Sequence, residues 1–277
     1  MTASDPTMTQ ATVLRLRAGQ VETVQDVLAV EEPLEIRLGY NDPRKGRTHR
    51  SVSITMRTPG DDTALALGFL FSESIVRRFA DIASVDASRA NVIRIELDDA
   101  ATFDPIRLER LFYTTSSCGV CGKASLEALS TAGFDALRDE DFTIDAAPLQ
   151  QLPDKLRTHQ KLFAQTGGNH GVALFNANGD IVRVAEDVGR HNAMDKLVGA
   201  LLQEGGLPLH EHGILLSGRA SFELVQKALA AGCQVLVAVG APSSLAVELA
   251  QEFNMTLAGF LGTHGFNIYH GAARIRL

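Results

Sequence analysis

Residues Leu34-Glu35-Ile36-Arg37-Leu38 and Ser51-Val52-Ser53-Ile54-Thr55-Met56 alternate apolar and polar positions, the period of strands with one buried face. Between them, Asn41-Asp42-Pro43-Arg44-Lys45-Gly46 is dense in turn formers. Pro59-Gly60-Asp61 then leads into an amphipathic stretch over 63–73, with Asp62 as the expected N-cap and Leu65, Phe69 and Ser72 bracketing one face. Residues 92–97 alternate again. This strand–strand–helix–strand order predicts a small ββαβ unit of the α+β class, its helix on one sheet face. Residues 1–30 are polar and aperiodic and predict a loose arm.

The second half has a different rhythm. A helical stretch is expected over 148–165, its first turn disturbed by Pro153. Residues 172–175 and 181–185 flank Asn176-Ala177-Asn178-Gly179-Asp180, a hairpin signal with Asn-Gly in the turn. A helix over 190–203 follows, with Ala193, Leu197 and Leu201 four apart. Strands at 213–216, 235–239 and 257–261 then alternate with helices at 220–231 and 245–253. Continuous apolar strands between amphipathic helices predict a mostly parallel sheet covered on both faces, a three-layer α/β/α domain. The expected division is an arm at 1–30, a small α+β domain at 31–112, a loop at 113–125, and a larger α/β domain at 126–277.

Composition narrows the classes. A chain of 277 residues, 45% hydrophobic and 21% charged, buries a core without disulfide staples and is not a disordered polymer. Its net charge of −7 argues against broad nucleic-acid binding, though not against a small anion held by a local patch. No apolar run reaches the length of a membrane span and no secretory h-region is present, so a cytoplasmic protein is expected.

Three cysteines are too few, and odd in number, for a secreted disulfide framework. Two of them form Cys118-Gly119-Val120-Cys121 in a glycine- and hydroxyl-rich loop, with helical character from Lys123 onward. A free thiol with pKa of about 8.5 is only slightly ionised at neutral pH, and a helix N-terminus and Lys123 would both favour the thiolate. Three chemistries compete for this pair. A zinc site needs further ligands and finds no second Cys-x-x-Cys. A redox dithiol would follow a buried strand rather than a polar run. A sulfur carrier needs one cysteine to hold a persulfide and could use the other to assist; the bland alternative is two small residues in a loop. Cys233, beside Val235-Leu236-Val237, reads as a buried small hydrophobe.

Three strand-to-helix junctions, at 186–192, 217–221 and 240–244, carry glycine, serine and arginine. At the carboxyl edge of a parallel sheet, helix N-termini present free amides, and such residues suit phosphate oxygens. Ser217, Gly218, Arg219, Ser243, Ser244 and Arg190 are the candidates, against the plainer reading of the serines as helix caps. His191 invites a catalytic or metal reading, but a lone histidine beside Arg190 and Asp195 is more often part of a structural polar network. The loop 166–171 either lines a cleft or merely connects, and His210 and His212 read as solvated.

Taken together, these motifs resemble one family. Ser116-Ser117-Cys118-Gly119-Val120-Cys121-Gly122, Glu186-Asp187-Val188-Gly189-Arg190-His191, Asp195-Lys196, Ser217-Gly218-Arg219-Ala220-Ser221, Ala241-Pro242-Ser243-Ser244-Leu245-Ala246-Val247-Glu248 and Gly259-Phe260-Leu261 are similar to the motifs of the FdhD family, the formate dehydrogenase accessory sulfurtransferases. The resemblance runs from about residue 31 to 269. It implies a persulfide at Cys118 with Cys121 as partner thiol, sulfur supplied by a cysteine desulfurase, and delivery to a molybdenum or tungsten bis(guanine dinucleotide) pterin cofactor destined for formate dehydrogenase. The cofactor would be held by Phe260, Leu261, Gly262, Thr263, His264 and Gly265, with guanosine diphosphate as its mimic. It further implies a homodimer and a second domain similar to the cytidine deaminase fold. The family commonly places a basic residue after the phenylalanine; here only His264 stands there. Zinc-deaminase ligands, His-x-Glu and Pro-Cys-x-x-Cys, are replaced by Arg190-His191-Asn192-Ala193 and Leu216-Ser217-Gly218-Arg219-Ala220, so no metal site is expected on that scaffold. The alternative is a cofactor-binding chaperone whose Cys-x-x-Cys is structural or binds zinc.

Overall fold

The computed structural model describes residues 5–101, 137 and 142–277. Cys118, Cys121, their loop and the expected boundaries at 112 and 125 lie outside the described residues. Among those described, no helix is long and apolar enough to cross a membrane.

The expected loose arm is instead an antiparallel hairpin, β1 (Met8–Arg17) and β2 (Gln20–Ala29). Ala18 and Gly19 both take positive φ, the backbone a two-residue hairpin turn requires. Its ladder is local, and Leu14, Leu16 and Val21 stay exposed, so no buried face marked it as a strand pair.

The first core domain is a four-stranded sheet of β3 (Glu32–Asp42), β4 (Gly46–Arg57), β5 (Ile82–Arg89) and β6 (Val92–Leu97), in the order β4-β3-β6-β5. β5 is missing from the expected ββαβ unit because it is an edge strand with hardly any buried side chains. Helix α1 (Asp62–Ser72) lies on the face formed by Leu34, Ile36, Leu38, Ile93 and Ile95. Asp61, not Asp62, occupies the N-cap position; Asp62 instead receives two 2.8 Å hydrogen bonds from Arg57.

β7 (Ile144–Asp145) leads into α2 (Ala146–His159) and α3 (Lys161–Thr166), two helices where one was expected. The second sheet holds β8 (His170–Asn176), β9 (Ile181–Asp187), β10 (His212–Leu216), β11 (Val235–Ala238), β12 (Thr256–Gly262) and β13 (Gly265–His270). Its order is β13-β12-β11-β10-β8-β9. Only β10, β11 and β12 are mutually parallel; β8 is antiparallel to both its neighbours and β13 to β12. The expectation of a mostly parallel sheet is thus corrected. The hairpins β8–β9 and β12–β13 at the two sheet ends force antiparallel pairing there, while a helix crosses over between the members of each parallel pair, β10–β11 and β11–β12.

Helices α4 (Arg190–Glu204), α5 (Phe222–Ala230) and α6 (Ser244–Glu252) cover one face over Leu174, Ile214, Leu236 and Leu257. Leu149, Leu152 and Leu156 of α2 cover the other, and β14 (Ile275–Arg276) closes the chain. Three layers result, as expected.

The two domains meet where α1 crosses α4, backbone against backbone. A Cβ on Gly199 would stand 1.8 Å from the Ala64 carbonyl oxygen, and one on Gly68 1.9 Å from that of Asp195. Gly199→Ala therefore has no room and must push the helices apart. A loss of about 3 kcal/mol is expected by urea denaturation, the upper end of ordinary overpacking costs; a loss under about 0.5 kcal/mol would contradict this contact.

Candidate functional site

The parallel strands β10, β11 and β12 end on one edge of the sheet, and the backbone stitches together the turns that follow them. Gly240 N–H donates to the Gly218 carbonyl at 2.9 Å, Ala220 N–H to Ala241 at 3.2 Å, and Ser243 N–H to Ala220 at 3.0 Å. Phe260 N–H reaches the Gly240 carbonyl at 3.1 Å, which ties in the third turn. Ser221 and Ser243 stand at the N-caps of α5 and α6, and Ser243 Oγ accepts from Ala246 N–H at 3.3 Å. A cavity of about 320 Å³ opens here, lined by Arg190, Arg219, Ala220, Ser221, Ala241, Pro242 and Ser243. Two helix N-termini and two guanidinium groups therefore border one small space, an arrangement that favours anions.

The structure sorts the residues singled out from sequence. Arg190, Arg219 and Ser243 line the cavity. Ser217 does not; its Oγ accepts from Gly171 N–H at 2.9 Å and its own N–H donates to the Gly171 carbonyl, which pins β8 to β10. Gly218 contributes its carbonyl to the stitching, and Ser244 is an exposed first residue of α6. In the segment 260–265, Phe260 sits at a bulge with φ 56° and its ring half exposed. Positive φ strains an aromatic residue, and such strain collects at functional positions. Leu261 points into the core against α2. Gly262, Thr263, His264 and Gly265 turn the chain from β12 into β13, with Thr263 and His264 exposed. The segment adjoins the cavity through Gly240 without lining it.

Other motif residues bolt the domains together. Asp187, fully buried, accepts from Thr58 N–H at 3.1 Å, Gly189 N–H at 2.9 Å and Asn192 Nδ2 at 3.1 Å, and pairs with Lys196 Nζ at 2.8 Å. Asn192 also donates to the Met56 carbonyl and accepts from Thr55 Oγ1. Asn169 in the 166–171 loop donates to Thr58 Oγ1. Asp195 pairs with Lys227 at 2.7 Å and accepts from Ser72 at 3.1 Å. Within one short motif, then, Asp187 and Asn192 face the first domain while Arg190 faces the cavity.

His191 stands among ionisable groups beside the cavity, with partners distant in sequence. His191 Nε2 lies 3.3 Å from Ser221 Oγ and 3.8 Å from Glu223 Oε2. Burial, then the charge of Arg190, hold its pKa down at about 4. The same two causes, burial first, lower that of His170. Arg190 Nε is buried and has no partner among the described residues. The third cysteine is inert by contrast: Cys233 is fully buried, its Sγ donates to the Val235 carbonyl at 3.3 Å, and burial pushes its pKa up to about 12.

Comparison with known proteins agrees with these features. A sequence model of the FdhD/NarQ family matches residues 29–276. The sulfur carrier protein FdhD of Streptomyces coelicolor is 49% identical over 275 residues, covering 96% of this chain and 94% of the relative. That of Mycobacterium tuberculosis is 46% identical, covering 95% and 96%; that of the archaeon Saccharolobus solfataricus is 38% identical, also covering 95% and 96%. A crystal structure from Desulfotalea psychrophila, titled as that of a formate dehydrogenase accessory protein, superposes with a TM-score of 0.74 at 23% identity, covering 98% of this chain and 100% of that one. At that identity it shows the fold.

Proposed function

The chain belongs to the FdhD/NarQ family, and from that membership together with the cavity we propose that it is a cytoplasmic sulfur carrier serving formate dehydrogenase. Cys118 thiolate attacks the outer sulfur of a cysteine desulfurase persulfide, displaces the desulfurase thiolate, and becomes Cys118–S–S⁻. Attack by Cys121 on the inner sulfur then forms a Cys118–Cys121 disulfide and releases hydrosulfide to the metal of a bound pterin guanine dinucleotide. A thiol reductant resets the pair. A persulfide ionises more readily than a thiol, so the chemistry needs no strong general base. The carrier acts as a homodimer.

One observation carries the cofactor half of this reading. Arg190, Arg219, Ser221 and Ser243 converge on one cavity in a protein whose net charge is −7. A local cluster of donors lets such a chain hold a diphosphate. Phe260, exposed beside Gly240, offers a ring face for a base next to it. Calorimetric titration with guanosine diphosphate and with pyrophosphate tests the site. Arg219→Ala is expected to weaken both by roughly 10- to 100-fold, the worth of hydrogen bonds to a charged group. Equal affinities would remove Arg219 from the site, and no binding of either probe to the unmutated chain would remove the cavity from the mechanism.

A further inference from the structure

Arg190 and His191 open α4 side by side, yet only Arg190 has a part in the reading above. His191 faces the N-terminal turn of α5. Its Nε2 approaches both Ser221 Oγ and Glu223 Oε2. Ser221 is at once the N-cap of α5 and a wall of the cavity. Its hydroxyl can donate to Glu223 or turn toward a ligand, and the ring of His191 stands where that choice is made.

We infer that His191 is a positioning residue for the anion in the Arg190–Arg219 cavity: it sets the direction of the Ser221 hydroxyl and takes up a proton when the anion binds. The inference rests on the cavity being an anion site and adds the residue that couples occupancy to protonation.

The charges around the ring explain why. Arg190 flanks it on its own helix, Glu223 and Lys227 face it from α5, and His170 faces it from β8. Glu223 alone among these favours the imidazolium, so without a ligand the ring is neutral at pH 7. A diphosphate beside Arg190 brings two or more negative charges into the same corner and reverses the local field. The imidazolium then donates through Nε2–H to Ser221 Oγ, which leaves the hydroxyl proton free for a ligand oxygen. Between the low pKa of the free protein and the raised pKa of the complex, binding takes up a proton. Affinity must therefore rise as the pH falls through that window.

Calorimetric titration of the full chain with guanosine diphosphate, in two buffers of different ionisation heat, reads this proton directly. The measurement is made at pH 7.5 and 5.5 on the unmutated protein and on His191→Gln, whose side chain hydrogen-bonds but does not titrate. Protons belonging to the ligand and to His170 are common to both proteins and cancel in the difference. The unmutated protein is expected to gain roughly 3- to 10-fold more affinity than the variant over this range, for a pKa returning from about 4 toward its ordinary value. It also takes up more protons at pH 5.5. Equal proton uptake in both overturns the inference while the cavity reading stands. Absence of binding to the unmutated protein at either pH instead overturns the cavity reading. A Ser221→Ala background supplies an independent check. If His191 acts through the hydroxyl, adding His191→Gln there costs no further affinity; additive losses contradict that route.

Discussion

Serine in place of Cys118 is expected to abolish sulfur loading and, with it, maturation of formate dehydrogenase. Incubated with cysteine and a cysteine desulfurase, the unmutated chain is expected to carry an extra sulfur, about 32 Da, on the peptide containing Cys118. A serine hydroxyl neither ionises near neutral pH nor forms an S–S bond, so the adduct disappears and enzyme activity in a complementation assay falls to background. Cys121→Ser is expected to load normally and to release slowly, because in the proposed mechanism the second thiolate frees the sulfur. The internal control is Cys233→Ala. That thiol is buried and its pKa stands near 12, so its removal leaves the adduct unchanged. Full maturation by a Cys118→Ala, Cys121→Ala double variant would end the carrier reading and favour a cofactor-binding chaperone.

The second large effect is structural. Asp187→Ala is expected to cost about 3–5 kcal/mol, the range for removing one partner of a buried ion pair. Lys196, 3% exposed, loses its carboxylate, while Thr58 N–H and Gly189 N–H lose their acceptor and Asn192 Nδ2 keeps only the Met56 carbonyl. A natural domain has about 5–15 kcal/mol of stability in all, so much of it is at stake. Urea denaturation measures the loss, and adding Lys196→Met should recover part of it by removing the stranded ammonium. The carboxylate also fixes the turn at Gly189 that starts α4, so Arg190 should lose its place and guanosine diphosphate binding should fall together with stability. A cost below about 1 kcal/mol would show that Asp187 is dispensable to the domain interface.

Sequence legibility followed burial. Residues 172–175, 213–216 and 235–238 declared themselves because every side chain in them is shielded, and 92–97 because alternate ones are. β5 stayed hidden because its side chains are mostly exposed, and the N-terminal hairpin because its strands pair only with each other. At the cavity, Arg190, Arg219 and Ser243 were visible as donors at strand-to-helix junctions. Ser217 carried the same signal and turned out to fasten β8 to β10. A serine reads alike in both roles until its neighbour, Gly171, is known. His191 fitted a structural network from its sequence neighbours, because Ser221 and Glu223 are thirty residues away along the chain.

The sequence by itself determined the order and type of the buried core strands and of the helices between them, and it carried the family motifs. These depend on periodicity and residue type, which are local properties of the chain. Only the tertiary structure decided that the sheet is mixed, that Asp187 faces one way and Arg190 the other, and that three separate turns enclose one cavity. Those facts follow from strand order and from long-range hydrogen bonds such as Gly240 to Gly218, which form only once distant segments are packed against each other.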